Sequence, residues 1–179
     1  METERLLLRQ LNPSDAEPME KLINDYDIAS TTLTIPYPYP KGAAESFIQY
    51  RSEVARKGGG ISFAIVDKAS SGFMGVIGLH VDRPHNRAEL AYWLGKPYWN
   101  RGYMSEAARK AVEYGFRDLN LNRLWAAAMT RNPASSRVME KVGMRYEGTF
   151  RQHVLKWGEY EDVAYYGLLR EQFLAGEAQ

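Results

Sequence analysis

Apolar residues recur along this chain at two different spacings, and the changes between them divide it into elements. Residues 5–11, RLLLRQL, form a short apolar run that predicts a first strand. Asn12-Pro13-Ser14-Asp15 interrupts it. Ser14 and Glu17 have the spacing of a capping box, and a helix is predicted from there to about Asp27 with Met19, Leu22 and Ile23 inward. In residues 31–42, TTLTIPYPYPKG, three alternating prolines forbid a helix and predict an extended, exposed loop. Helical spacing returns over 43–57 with Ala44, Phe47, Ile48, Val54 and Ala55, and Gly58-Gly59-Gly60 end it.

From Ile61 the period becomes two. ISFAIVD, the turn KASSG and FMGVIGLHVD predict a hairpin, in which Gly75 and Gly78 mark bulges or close backbone approach. RPHN is a second turn, and RAELAYWLG is a third strand. A helix follows, with Met104, Ala107, Ala108, Ala111, Val112 and Gly115 as one buried stripe. Its outer face carries Glu106 with Lys110 and Glu113 with Arg117 at i, i+4. NRLWAAAMT reads as a buried strand, and Pro133–Val142 as a short helix with Asn132 as its cap and Gly143 just past its end. MRYEGTFRQHVLKW and EDVAYYGLLREQF are two last strands around the turn Trp157-Gly158-Glu159. The order β-α-α-β-β-β-α-β-α-β-β predicts an α+β, or mixed α/β, fold with one sheet and helices on both faces. No repeat or linker divides it, so a single domain over 1–179 is expected.

Composition narrows the function. A net charge of +1 gives no electrostatic case for nucleic acid or an anionic membrane. The chain has no cysteine, which removes disulfides, thiolate metal sites and a cysteine nucleophile. His80 and His85 lie five apart, outside HExxH spacing, so no metal is expected. The start METERLLLRQL is charged and lacks a signal-peptide pattern, and no run approaches about 18 apolar residues. A cytoplasmic protein is the expectation.

The stretch with most chemical content is Glu89–Phe116. Gly102 stands where the chain turns from strand into helix, and the N–H groups of Asn100, Arg101, Gly102, Tyr103, Met104 and Ser105 would be unpaired at a positive helix end. That is an anion site suited to a pyrophosphate, or else a plain tight turn. Neither G-x-x-x-x-G-K-[ST] nor G-x-G-x-x-G is present, so a nucleoside triphosphate or dinucleotide is not indicated.

AELAYWLGKPYWNRGYMSEA, followed by TRNPASSRVMEKVGMRYEG, resembles the GNAT superfamily of acyl-CoA-dependent N-acetyltransferases, closest to the branch of the ribosomal-protein N-terminal acetyltransferases. The likeness runs from RLLLRQL through IPYPYP to DVAYYGLLREQF. It implies a mostly antiparallel sheet split between Leu90–Leu94 and Trp125–Met129, with the pantetheine arm of acetyl-CoA lying in the split. It implies that the Gly102 turn holds the pyrophosphate, and that backbone of Tyr92, Trp93 and Leu94, with Asn132 and Lys141, holds the rest. The chain departs from the family's Q/R-x-x-G-x-G/A pattern, with Trp99 at the first position and Met104 at the last. Backbone binding of phosphate does not need the missing side chain.

Acyl transfer from a thioester to an amine needs a base for the ammonium and profits from an acid for the thiolate. Glu89 is the first candidate base, with burial against Tyr92 and Trp93 expected to raise its pKa. The alternative is a structural glutamate paired with Arg87 or Arg83, and His153 and Asp162 are rival bases. Many relatives place a tyrosine acid seven residues after the asparagine, where this chain has Met139. Ser135 is the substitute acid, or a hydroxyl that only bonds backbone. Tyr37 and Tyr39 are expected to form a substrate-side wall, with His153 across from them, or a stiff linker.

The leading expectation is an N-acetyltransferase using acetyl-CoA, with no metal, acting on a peptide or protein N-terminus. A small amine, amino acid or antibiotic is the alternative acceptor. An acyl-CoA-binding sensor without turnover is the rival from another class, and a homodimer is compatible with either.

Overall fold

A computed structural model describes residues 1–177; positions 178 and 179 of the expected domain lie outside the described residues. Its centre is one seven-stranded sheet in the order β1-β2-β3-β4-β5-β7-β6. The strands are β1 (Leu6–Gln10), β2 (Gly60–Asp67), β3 (Phe73–Asp82), β4 (Arg87–Leu94), β5 (Arg123–Met129), β6 (Arg145–Lys156) and β7 (Glu159–Leu169). All neighbours are antiparallel except β4 and β5. A parallel pair needs a crossover. Here it is α4 (Tyr103–Arg117), the helix of small apolar residues.

The alternation of side chains along each strand sorts the core into two layers. Leu6, Leu8, Ile65, Ile77, Leu79, Leu90 and Leu124 face α4 together with α5 (Pro133–Lys141). Ala64, Val66 and Val76 face the opposite way, under α1 (Ala16–Ile23) and α3 (Ala43–Arg56). The predicted stripe of α4 is buried throughout. A Cβ on Gly115 would stand 3.1 Å from Leu124 Cδ1 and 3.2 Å from Leu79 Cδ1, which is why the helix needs glycine there to press onto the sheet.

Four local expectations change. The capping box is Asn12 with Asp15, not Ser14 with Glu17: Asn12 Oδ1 accepts from Ser14 N at 3.0 Å and Asp15 Oδ2 from Asn12 N at 2.9 Å. Pro13 opens a 3-10 turn ahead of α1, and Asp15, bound also by Arg9, is buried within it. The helix expected to reach Asp27 stops at Ile23, and a separate α2 (Tyr26–Thr31) starts where Asp25 caps the N–H of Asp27 at 2.8 Å. On α4, Glu106 is drawn off the helix by Arg5, while Lys110 pairs with Glu113 rather than Glu106. Finally, the last strand ends at Leu169, and REQF begins α6 (Arg170–Glu177).

Gly75 is where the β3–β4 seam is tightest. A Cβ there would stand 2.3 Å from Trp93 O and 2.9 Å from Leu94 Cα. The backbone of β4 cannot yield without moving its other edge. Gly75→Ala is therefore expected to cost about 1–3 kcal/mol, read as a lowered urea midpoint.

Candidate active site

β4 and β5 pair only from Arg87↔Arg123 to Glu89↔Trp125. Beyond that point each keeps its outer neighbour and loses its inner one. β4 follows β3 as far as Leu94↔Gly75, and β5 follows β7 as far as Met129↔Val163. The result is a wedge with a free backbone edge on each side, able to accept one extended segment as an added strand. Backbone groups alternate in direction along a strand. The Trp93 carbonyl turns towards Gly75 on β3, so those of Tyr92 and Leu94 turn into the wedge. Trp99 Nε1 already donates to Leu94 O at 2.7 Å, which fixes one wall.

The wedge opens onto the Gly102 turn. Asn100 and Gly102 both have left-handed backbones, at φ 59° and 79°. The first helical bond runs from Glu106 N to Gly102 O at 3.0 Å. Among the described residues, the N–H groups of Asn100 to Ser105 therefore make no backbone bond. Arg5 is a part of this turn that the sequence left in the first strand. Its guanidinium donates to Arg101 O at 3.1 Å, lies 4.3 Å from the Tyr103 ring centre and bonds Glu106 at 2.7 Å. Unpaired amides, a helix N-terminus and an added cation fit a pyrophosphate. Lys141 sits exposed at the far end of α5.

Across the wedge, Asn132 caps α5, accepting from Ser135 N at 3.2 Å, while its Nδ2 donates to Thr31 O at 3.4 Å. Tyr92, expected to contribute backbone only, sends its side chain over the gap to α5. Its hydroxyl lies 2.9 Å from Ser135 Oγ and donates to Ser135 O at 3.1 Å. Desolvation pushes the Tyr92 phenol up to about 12, against a smaller lowering by Ser135, so it stays protonated. Met139 is fully buried in the core, and no proton comes from that position.

Glu89 and Tyr92 have opposite parity on β4, so they emerge on opposite faces of the sheet. Glu89 is partly exposed, with side-chain accessibility of 37%, rather than enclosed by Tyr92 and Trp93 as expected. Trp93 turns to Phe73, 6.1 Å between ring centres, in the layer under α1 and α3. Neither arginine anticipated as a partner for Glu89 is near enough to bond it: Arg87 bonds Asp82 at 2.9 Å and Arg83 bonds Gly58 O at 2.9 Å. The neighbour of Glu89 is His80, whose Nδ1 is 3.7 Å from Glu89 Oε2. Counting back from the RPHN turn would have paired them, since the hairpin register sets His80 opposite Glu89.

Beyond Glu89 the face carries rings. Trp125 stacks on Tyr165 at 5.7 Å, Phe150 meets Tyr165 edge-on at 4.8 Å, and His153 Nε2 is 3.1 Å from the Tyr165 hydroxyl. Burial, with a contribution from the Glu89 charge, raises the Tyr165 pKa. A bulge in β6 between Phe150 and Val154 turns His153 into this group, and Asp162 Oδ1 closes that bulge by accepting from Gln152 N at 2.7 Å. His153 and Asp162, rivals of Glu89 as base, are thus both held in the β6–β7 hairpin. The structure separates the two loop tyrosines. Tyr37 meets Tyr26 at 5.6 Å, and Tyr26 meets Trp157 at 5.4 Å, whereas Tyr39 packs onto the α1–α3 layer. Burial, helped by Glu20 and Glu45, raises the Tyr39 pKa.

Two cations that spacing did not reveal clasp α2 and the loop after it to the hairpin. Lys156, 6% exposed, donates to Leu33 O at 3.2 Å and Ile35 O at 3.0 Å. Arg131 donates to Ser30 O and to Glu161, each at 2.6 Å. Burial, reinforced by the Arg131 charge, lowers the Lys156 pKa. No helix of the described residues is long and apolar enough to cross a membrane, and none of their side chains cluster in a metal-holding group.

The site is a split sheet with a turn of unpaired amides beside it, and comparison with known proteins assigns its family. The family model described as the acetyltransferase (GNAT) domain matches residues 5–145, and the chain belongs to that family. It is an acyltransferase of the N-acetyltransferase type. Similar proteins include YoaA of Bacillus subtilis, an uncharacterized N-acetyltransferase, 32% identical across 95% of this chain and 96% of that one. YdaF of the same species, a putative ribosomal N-acetyltransferase, is 29% identical across 95% and 94%. Spermidine N(1)-acetyltransferase of Vibrio cholerae is 23% identical across 95% and 96%. Among solved structures, a GNAT-family acetyltransferase of Bacillus anthracis superposes with a TM-score of 0.85 at 28% identity, covering 95% of this chain and 98% of that one.

The Arg5–Glu106 link yields a pH prediction. Burial alone would raise the Glu106 carboxyl, but bonds from Thr3 and Arg5 outweigh it and hold the pKa below 4.5. A carboxylate with a lowered folded-state pKa adds stability above its unfolded value and loses it as pH falls through the folded one. Glu106→Gln is expected to cost about 1–2 kcal/mol near neutrality. As pH falls through the lowered folded-state value, its unfolding midpoint should converge on that of the unmodified protein, as urea titrations across pH would record.

Proposed function

We propose that this enzyme transfers the acetyl group of acetyl-CoA to the primary amine at a peptide or protein N-terminus by direct attack. The observation that carries the acetyl-CoA part is the wedge between β4 and β5 ending at the Gly102 turn. In this reading the pantetheine arm bonds the backbone of Tyr92 and Leu94 from one side and Asn132 from the other. The amides of Asn100 to Ser105 and the Arg5 guanidinium take the pyrophosphate. The thioester then lies between the two faces of β4.

Glu89 accepts the ammonium proton on the open face. The amine nitrogen attacks the carbonyl carbon and the C–N bond forms. The nitrogen gives its second proton to Glu89, which has by then released the first to solvent, and the C–S bond breaks. Ser135, on the α5 side, hands its proton to the departing sulfur and regains one from solvent. Tyr92 holds the serine hydroxyl in place throughout, its own hydroxyl proton engaged on Ser135 O.

The acceptor part rests on how charges are paired near the proposed slot between α2 with its proline loop and the β6–β7 hairpin. A polycation would need a free acidic cluster. Of the acids that cluster in sequence near the last hairpin, Glu161 is bonded by Arg131 and Asp162 closes the bulge. Asp27, across the slot on α2, is bonded by Lys96. What remains exposed is Glu159, a lone carboxylate rather than a cluster, and a set of rings, with Tyr26, Tyr37, Phe150, Trp157 and Tyr160 each at least 47% accessible. Tyrosine and tryptophan give contact area at small entropic cost, which suits an extended backbone.

Glu89→Gln is expected to lower kcat about 10²–10⁴-fold with acetyl-CoA affinity unchanged, as befits a general base. Ser135→Ala should lose less, since a thiolate leaves without much help. An unchanged rate in Glu89→Gln, measured by thiol release, would move the base to His153 or Asp162. For the acceptor, kcat/KM would be compared across short peptides differing in their first residue, spermidine, free amino acids and an aminoglycoside. At least one peptide should exceed every small amine. A small amine well above all peptides would end the N-terminal reading, and CoA binding without transfer to any acceptor would favour a sensor.

A further inference from the structure

The acyl-transfer reading leaves one cavity unused. It has a volume of about 360 Å³ and lies at the other end of the sheet from the Gly102 turn. One of its walls is Tyr114, eleven residues along α4 from Tyr103 and so about 16 Å from the proposed pyrophosphate site. α3 contributes Arg51 and Arg56, the start of β2 contributes Ser62, and Arg83 closes it from the turn after β3.

Arg51 is the unusual group. It is only 7% exposed, its Nε donates to Ser62 Oγ at 2.8 Å, and its Nη2 is buried with no partner among the described residues. No aspartate or glutamate lines the cavity among those residues. An arginine keeps its charge throughout the physiological range, and a buried charge without a counter-ion is strongly disfavoured. Every other buried or half-buried charge discussed above has found its acid or its carbonyls; this one has a single hydroxyl. Burial accordingly lowers the Arg51 pKa. The glycine run that ends α3 also serves the cavity. A Cβ on Gly58 would lie 2.7 Å from Arg83 Nη2, so glycine is what lets that guanidinium fold over the rim and bond Gly58 O.

We propose that this cavity binds a small anion, a carboxylate or phosphate on a compact apolar body, with Arg51 as the buried donor and Arg83 and Arg56 as outer charges. The volume lies at the small end of the range for ligand pockets, about 300–1,000 Å³. Its apolar walls, Ile48, Ile61 and Tyr114, suit a hydrocarbon or ring rather than a bare ion. The proposal stands apart from the acyl-transfer reading, since none of these residues belongs to the wedge.

The test is calorimetry on the full chain saturated with CoA, so that the Gly102 turn does not compete for the anion. Phenyl phosphate, phenylacetate and inorganic phosphate are titrated, with benzyl alcohol as the neutral control. One of the aryl anions should bind with 1:1 stoichiometry at least about tenfold more tightly than benzyl alcohol, and the stronger of the two identifies the head group. Arg51→Met should abolish this binding, and Arg83→Gln should weaken it about tenfold. If Arg51→Met fails to fold, the exposed Arg83 carries the test alone. The proposal is overturned if neither aryl anion gives a heat of binding, or if affinity is unchanged in the folded arginine variants. Should CoA itself not bind, the acyl-transfer reading falls, while the same titrations without CoA still locate the anion through the arginine variants.

Discussion

The site follows from one constraint: β4 and β5 run parallel yet pair for only three residues. Each strand is fully satisfied on its outer side, β4 by the hairpin with β3 and β5 by β7. Nothing therefore pulls the inner edges together, and what keeps them at a fixed separation is the material wedged around them. α4 lies across the crossover with alanines and a glycine against the sheet. The Tyr92 hydroxyl spans from β4 to Ser135 on α5, and Asn132 ties α5 to α2. A gap in the hydrogen-bond ladder is costly only while its backbone groups lack partners. An extended ligand arm of the kind proposed would supply them.

The pleat of β4 also separates the two halves of the proposed proton traffic. Glu89 and Tyr92 differ by three positions, so alternation sends them to opposite faces. One face is covered by α4 and α5 and holds the Tyr92–Ser135 pair. The other is open beyond Glu89 and lined by rings. Acid and base acting on one carbonyl from opposite sides need no rearrangement between the two transfers; β4 carries the proposed base itself and, through Tyr92, positions the proposed acid on α5.

Buried charge is handled in two ways in this molecule. Asp15 takes both guanidinium nitrogens of Arg9, at 2.6 and 2.7 Å, and closes a capping box as well. Lys156 is met by two carbonyls and so holds a proline-rich loop against a hairpin. In both cases the charge is spent on connecting distant segments. Arg51 connects little: its Nη2 is buried without a partner, and no acid among the described residues lines the cavity beside it.

By itself, the sequence determined the elements whose causes are local. The stripe of α4, the Gly102 turn, the Asn132 cap, the meander of β2 to β4 and the mostly antiparallel sheet with helices on both faces all follow from spacing and turn chemistry. The family was legible too, because its two motifs are contiguous stretches. Even the His80–Glu89 pair was within reach, since a hairpin turn fixes register. Only the tertiary structure decided which charges meet. Arg5 reaches Glu106 across 101 positions, Lys156 reaches the loop carbonyls across more than 120, and Arg131 reaches Ser30 across 101. The division of the loop tyrosines, with Tyr37 against Tyr26 and Tyr39 against the α1–α3 layer, is likewise set by tertiary packing. Spacing along a chain reports what one helix or strand places side by side, whereas these contacts are set by how whole elements pack, and no periodicity carries that information.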